Sequence, residues 1–372
     1  MKTLFSVLLF FSFLSFHAQS KYPPFSWDKV PVYAHLGNLS NDFTATELDF
    51  LAEHFDFITI EKGMAKRKHG VTEIGFQNAA TEIKKRNPKA KVLFYWNTTI
   101  NVGGYKACQS FPKEGVLRGN DGKEVNIFGA NTFYDYTVSG VSSWWSDAAK
   151  QSVSLSSDGI FADAINKFNN NNRRKVLGVE KIDKLNAGLL NTLRDTKNKL
   201  GNNNLIIQNG LKYYEKESIG LKSINITDGA MIEHFVTAEG GDKEHIAHNI
   251  ESLIKGGKQG KVMVCKAWPS FDWRDKDFIK SKTYEQLAQI AKDEITFPLA
   301  CFLVAAQKYS YFCYTWGYQN NTGTYNWYSE LDKPLGKPLG DAKRNGWVYT
   351  REFANASVFV DIEHTEAKID WK

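Results

Sequence analysis

The chain is short of the residues that would place it in several large classes at once. It has only four cysteines, Cys108, Cys265, Cys301 and Cys313, none in C-x-x-C spacing and none beside a pair of histidines, which argues against a zinc site. Cys265 and Cys313 sit in apolar, strand-like runs, where a small buried hydrophobe is the default, while export would leave room for one disulfide. No long apolar run follows the first twenty residues and mean hydropathy is -0.41, which excludes a polytopic membrane protein and predicts no integral span. No Gly-x-Gly-x-x-Gly follows the first strand, which counts against a dinucleotide fold. The eight histidines include no His-x-His and no cluster at strand ends, so no metal and no organic cofactor is expected. Lys+Arg exceeds Asp+Glu by 47 to 41, a mild +6 with no dense basic stripe, so nucleic acid is not an expected partner. Hydrophobic residues at 42% and charged residues at 24% match globular averages and rule out collagen-like, disordered and coiled-coil chains. What is abundant is aromatic: 25 Phe, 16 Tyr and 10 Trp, mostly core, with a surplus able to line a groove that stacks on flat ligand faces.

Residues 1–20 read as an export signal. Lys2 supplies the positive start, Leu4 to Phe16 a short apolar stretch, and Ala18-Gln19-Ser20 a small-residue cleavage site. The mature chain is expected to begin near Lys21 and to work in the periplasm or outside the cell.

Eight apolar, β-branched or aromatic runs then recur. They are Val30–Gly37, Phe55–Gly63, Lys91–Ile100, Asp158–Ile165, Leu205–Gly210, Asp228–Phe235, Lys261–Pro269 and Tyr309–Tyr318. Between them lie amphipathic stretches, among them Thr44–His54 with Asn41 and Asp42 as caps, and Thr283–Gln307 interrupted by Pro298. Strands alternating with helices predict an α/β chain with a parallel sheet, and eight of them fit a (β/α)8 TIM barrel over residues 21–316. Residues 317–372 carry alternating runs and read as a small C-terminal β-appendage packed on the barrel. A long connection, Asn101 to Gly140, follows strand 3, and an Asn-rich one, Asn166 to Lys175, follows strand 4; both read as binding loops.

Strands 4 and 6 end alike. Asp158-Gly159-Ile160-Phe161-Ala162-Asp163 and Asp228-Gly229-Ala230-Met231-Ile232-Glu233 are each Asp-Gly, three apolar residues and an acid. A carboxylate at the buried C-terminal end of a barrel strand is costly unless the catalytic rim needs it. Two facing acids suit glycoside hydrolysis, with Asp163 and Glu233 as the catalytic pair. Other strand ends offer sugar-binding groups: His35, Glu61, Trp96, Asn97, Asn209, Lys266, Trp268 and Trp316, with Asn166 beyond strand 4. Lys266 is expected to hold a carboxylate ionised or to bind an anionic substituent.

The same segments carry a resemblance. Tyr134-Asp135-Tyr136-Thr137 before Trp144-Trp145, the two Asp-Gly strands and the Val348-to-Trp371 tail resemble the TIM-barrel glycoside hydrolases, in particular a bacterial group catalogued as hypothetical glycosyl hydrolases. The resemblance implies a retaining enzyme with Asp163 as nucleophile and Glu233 as acid/base, the latter kept protonated by a partly apolar setting. Asp135 would stand outside the chemistry, capping the helix near Val141. Ala164 and Ile165 depart from the family by following Asp163 where a polar pair is usual. The expected partner is a polysaccharide or oligosaccharide, and the positive balance suits an anionic one. The rival reading is a non-catalytic carbohydrate-binding protein on a degenerate barrel. A phosphate-handling barrel ranks last, because no glycine-rich cradle follows strands 7 and 8. Neither sugar identity nor oligomeric state is legible.

Overall fold

The computed structural model describes residues 20–127, 129, 131–212, 217–236 and 242–372, so the expected leader lies outside the described residues but for Ser20. Eight parallel strands follow one another in sequence order. They are β1 (Ala34–Leu36), β2 (Phe57–Ile60), β3 (Lys91–Asn97), β4 (Gly159–Asp163), β5 (Leu205–Asn209), β6 (Gly229–Ile232), β7 (Val262–Ala267) and β8 (Ser310–Tyr314). The sheet closes on itself beside β1: Val32 bridges Phe312 and Gly37 bridges Gln319, both in parallel. The Tyr33 N–H donates to the Phe312 carbonyl at 2.8 Å and the Gly37 N–H to the Tyr318 carbonyl at 2.9 Å. This is the (β/α)8 barrel expected from the alternation, with all eight strands buried on both faces.

The helices form where the pattern placed them, with two adjustments. Helix Ala45–His54 is capped by Thr44 rather than Asn41 or Asp42: the Thr44 hydroxyl accepts the Glu47 N–H while the Glu47 carboxylate accepts the Thr44 N–H. The stretch expected over Thr283–Gln307 is two helices, Tyr284–Glu294 and Thr296–Ala305, broken at Ile295. Pro298 lies in the first turn of the second helix, where its missing N–H is no loss.

The Asp-Gly half of the repeated strand motif is a structural stitch. Asp158 accepts the Val92 N–H of β3 at 2.8 Å, and Asp228 accepts the Ile206 N–H of β5 at 2.9 Å. Each is neutralised by two lysines, Lys84 and Lys91 for the first, Lys21 and Lys197 for the second. The following glycines are forced by close approach. A Cβ on Gly159 would stand 2.0 Å from the Leu205 carbonyl oxygen, and one on Gly229 1.9 Å from that of Val262. Both stitches lie at the N-terminal end of the barrel, so the acids that end the same strands point out of the opposite end.

The connection after β3 is an ordered structure. It builds a three-stranded antiparallel sheet from Ile100–Asn101, Asn126–Ile127 and Asn131–Phe133, anchored by Tyr105, whose hydroxyl donates to the Tyr95 carbonyl at 3.0 Å. All four cysteines are free. The C-terminal appendage is an antiparallel sheet of β9 (Lys343–Asn345), β10 (Val348–Glu352), β11 (Ala356–Asp361) and β12 (Glu366–Trp371). It therefore begins well after residue 317, because the segment holding Tyr318 and Gln319 is still closing the barrel.

One buried cation fastens the appendage. Arg351 on β10 donates to the carbonyls of Leu303 at 3.0 Å, Val304 at 3.4 Å and Ala306 at 2.5 Å, the open end of helix Thr296–Ala305. A guanidinium there satisfies carbonyls that the helix leaves unpaired and meets the negative end of its dipole. Burial brings its pKa down to about 10, so it stays charged at neutral pH. Arg351→Met keeps the packing volume and removes the donors. It is expected to lower stability by about 3 kcal/mol, the scale of lost bonds to a buried charged group, as a drop in the urea midpoint.

Candidate active site

Side chains on a strand alternate between faces, and in β1 to β6 it is the odd-numbered residues that turn into the barrel. Their uppermost layer is polar. His35, Glu61, Asn97, Asp163, Asn209 and Glu233 converge there, with Lys266 from β7 beside them. All but Asp163 and Glu233 are buried, and those two acids keep partial access to solvent.

Asn209 joins the two acids. Its amide nitrogen donates to Asp163 Oδ1 at 2.8 Å and to Glu233 Oε2 at 2.7 Å. Those two oxygens can be no further apart than the two bonds laid end to end, the ~5.5 Å scale of a retaining carboxylate pair. The other Asp163 oxygen accepts the Tyr95 hydroxyl and the Asn97 amide at 3.3 Å. Asn97 is itself fixed, its carbonyl oxygen accepting the N–H groups of Thr99 and Ile100 at 3.0 and 2.7 Å. The other Glu233 oxygen accepts the Tyr318 hydroxyl at 2.5 Å.

The ionisation of Glu233 departs from the expectation of a protonated acid. Burial acts to raise its pKa, but the charge of His234, the Tyr318 hydroxyl and the Asn209 amide outweigh it and hold the carboxyl below its ordinary value. His234 itself is pushed down by burial, with Arg274 and Lys266 adding to the effect. The backbone turns sharply after each acid: Ala164 has φ 67° and His234 φ 56°. Left-handed conformations at non-glycine residues cost about 1–3 kcal/mol and gather at functional sites.

A second cluster stands beside the Asp163 side. His35 Nε2 and Glu61 Oε2 are 2.6 Å apart, and Lys62 pairs with the other Glu61 oxygen. Burial would raise the Glu61 pKa, but Lys62 and His35 bring it below normal. The Lys62 ammonium lies 4.6 Å from the centre of the Tyr95 ring and remains half-exposed. The His35 ring packs against Phe161 at 4.8 Å and Tyr318 at 4.7 Å.

Several nominated residues are elsewhere. Trp96 turns outward from β3 into the layer between strand and helix, where its indole N–H donates to the Trp145 carbonyl at 3.2 Å. Trp316 is likewise core, packed on Phe271 and Tyr284, both with ring centres at 5.5 Å. Asn166 staples two loops by donating to the Gly210 carbonyl at 2.5 Å. Lys266 pairs with no carboxylate among the described residues. Its ammonium donates to the carbonyls of Ala267 at 3.1 Å and Thr315 at 2.5 Å and lies 3.4 Å from the Trp268 ring centre. Burial lowers its pKa to about 8. Trp268 does reach the mouth, stacked on His234 at 5.5 Å and edge-on to Tyr318 at 5.5 Å. Asp135 is not the cap of helix Val141–Ser152, whose N-cap is Gly140. It accepts the Thr137 N–H at 2.9 Å and pairs with Lys181 at 2.7 Å. Tyr95, Lys62, His234 and Tyr318 were not nominated. Tyr95 shares a strand face with Asn97 and was within reach of the pattern, and Tyr318 ends the run Tyr309–Tyr318 although the strand itself stops at Tyr314.

Among the described residues no group of three or more His, Cys, Asp or Glu is placed to hold a metal ion. No described helix is long and apolar enough to cross a membrane.

The model of hypothetical glycosyl hydrolase family 15 matches residues 84–357, most of the chain. The chain belongs to that family. As a member it is a glycoside hydrolase, and the matched span contains Asn97, Asp163, Asn209, Glu233, Trp268 and Tyr318 but not His35 or Glu61. A search of curated proteins found no match. Among solved structures, the noncanonic maltogenic α-amylase AmyB from Thermotoga neapolitana shares the fold with this family 15 chain. It is 10% identical at a TM-score of 0.52, over 90% of this chain and 86% of that one. The Aspergillus fumigatus protein Ega3, in complex with galactosamine, is 13% identical at 0.47, over 83% and 98%. The glycoside hydrolase domain of PelA from Pseudomonas aeruginosa is 12% identical at 0.45, over 71% and 92%.

Removing the Tyr318 hydroxyl tests the electrostatics directly. That bond favours the ionised form of Glu233, so Tyr318→Phe is expected to raise the Glu233 pKa. Carboxyl 13C NMR titration, with Glu233→Gln identifying the resonance, reads the shift; an unchanged or lower midpoint would contradict the geometry.

Proposed function

We propose that this enzyme cleaves O-glycosidic bonds with retention of configuration, Asp163 acting as nucleophile and Glu233 as acid/base. The observation that carries the reading is the single Asn209 amide nitrogen bonded to both carboxylates. The fork holds the nearest oxygens of the pair within the ~5–5.5 Å scale of retaining enzymes, whereas an inverting pair leaves room for a water at ~6.5–9.5 Å. Asp163, held by Tyr95, Asn97 and Asn209, attacks the anomeric carbon while Glu233 protonates the departing glycosidic oxygen. Glu233 then takes a proton from water, and the hydroxide equivalent releases the sugar from Asp163.

The substrate we assign is a polysaccharide or oligosaccharide presenting a neutral ring to this pair. The overall charge pointed to an anionic polymer, but at the mouth Glu61, Asp163 and Glu233 stand against Lys62 and a Lys266 already bound to carbonyls. A further negative group there would meet repulsion. Lys62 keeps ammonium donors for ring hydroxyls, and Trp268, itself buried, backs His234 and Tyr318 beside Glu233. The sequence of residues 1–20 supports secretion.

A panel of 4-nitrophenyl α- and β-glycosides and neutral polysaccharides tests the reading. Asp163→Asn is expected to lose nearly all activity while folding normally, and azide is expected to rescue Glu233→Ala as a glycosyl azide of retained configuration. First-formed products with inverted anomeric configuration by 1H NMR, or wild-type turnover in Asp163→Asn, would overturn it. Because Glu233 must be protonated to act first and its pKa lies low, kcat/KM is expected to peak on the acid side and fall as pH rises.

A further inference from the structure

Ten tryptophans are distributed through the chain, and Trp273 is the one left exposed, at 50%. It is not isolated. Phe278 and Tyr284 are also exposed, and the only other exposed aromatic residue among those described, Phe359, lies on the C-terminal sheet. Three of four exposed aromatics thus stand on one segment, the connection that leaves β7 at the mouth of the barrel.

The segment is built to present them. Arg274 clasps Asp272 through Nε at 3.0 Å and Nη2 at 2.6 Å, and its N–H donates to the same carboxylate at 2.7 Å. The Asp272 N–H donates to Asp275 at 2.8 Å. Trp273 is the central residue of this closed turn, so its backbone is fixed although its ring is free. Beneath, buried Phe271 packs on Phe278 at 5.4 Å and on Trp316 at 5.5 Å, and Trp316 packs on Tyr284 at 5.5 Å. Phe278 and Tyr284 therefore rest on a buried aromatic base. Asp272 and Arg274 both act electrostatically on His234, the residue after Glu233, which puts this turn on the Glu233 side of the mouth.

We propose that Trp273, with Phe278 and Tyr284 beyond it, forms a binding strip for successive sugar rings of a neutral polysaccharide on the leaving-group side of the site. The side assignment rests on Glu233 being the acid that protonates the leaving oxygen. The chemistry of the strip itself points to carbohydrate. Flat rings stack on the C–H faces of pyranoses, and here they alternate with charged residues, Arg274, Asp275, Lys276, Asp277, Lys280 and Lys282, able to bond hydroxyls. Exposed Trp and Tyr also serve protein interfaces; what assigns the sugar here is the strip's place on the connection that leaves β7 at the mouth of a glycoside hydrolase barrel.

Native affinity electrophoresis in gels containing starch, dextran, galactan or mannan tests the strip without requiring turnover. The wild-type protein is expected to be retarded in at least one gel. Trp273→Ala is expected to weaken that retardation about tenfold, on the scale of a lost aromatic stack. Phe359→Ala should leave it unchanged, and thermal unfolding should show both variants folded. Retardation in no gel, equal retardation of Trp273→Ala, or a change in oligomeric state by light scattering on that substitution would overturn the proposal. Running Asp163→Asn in the same gels separates the two readings. Retardation without any hydrolysis by the wild type would remove the catalytic assignment and leave the strip standing, whereas hydrolysis without retardation would do the reverse.

Discussion

The site depends on one nitrogen. Asn209 donates both hydrogens of its amide, one to each carboxylate, and so sets the distance between two like charges that would otherwise separate. Hydroxyls from Tyr95 and Tyr318 then take the outer oxygens. Each acid is held from two directions by neutral donors, which leaves the cations near the mouth for other work. Lys62 is paired with Glu61 and Lys266 with backbone carbonyls.

That arrangement needs β4, β5 and β6 at fixed heights relative to one another. The parallel register sets Ala162 beside Gln208 and Asn209 beside Met231, which puts Asp163 level with Asn209 and Glu233 two residues further on, where the Asn209 amide still reaches it. The heights are fixed from the other end. Asp158 and Asp228 are bonded to the preceding strands, and Gly159 and Gly229 admit the following strands closer than any side chain would allow. A one-residue slip would turn the acids away from the interior, so the stitches at the bottom are what guarantee the chemistry at the top.

Much of this was legible in the sequence. Eight runs separated by amphipathic stretches specify the barrel, and the repeated strand motif marks both acids. The errors have physical causes. Trp96 and Asn97 are adjacent on a strand and cannot both face inward, and by the same alternation Trp316 belongs with the outward face of β8. Lys266 looked like a partner for a carboxylate because an interior ammonium must be compensated; that two carbonyls and an indole face compensate it is a matter of three dimensions. The ionisation of Glu233 followed from apolar neighbours in sequence, but its neighbours in space are a histidine, a phenol and an amide. Tyr318 ended the eighth run, but the strand itself stops at Tyr314, so strand alternation did not say which way its side chain turns.

Tyr318 also links folding to chemistry. Its carbonyl accepts the Gly37 N–H where the barrel closes, and its ring packs on His35 and Trp268 while its hydroxyl fixes Glu233. Closure is made by few backbone bonds, because β1 is only three residues long. Tyr318 therefore ties one of the two donors of Glu233 to the seam where the barrel closes. Any change that loosens the β1–β8 seam reaches Glu233 through this one residue before it reaches the core, which is held by seven other strand pairings.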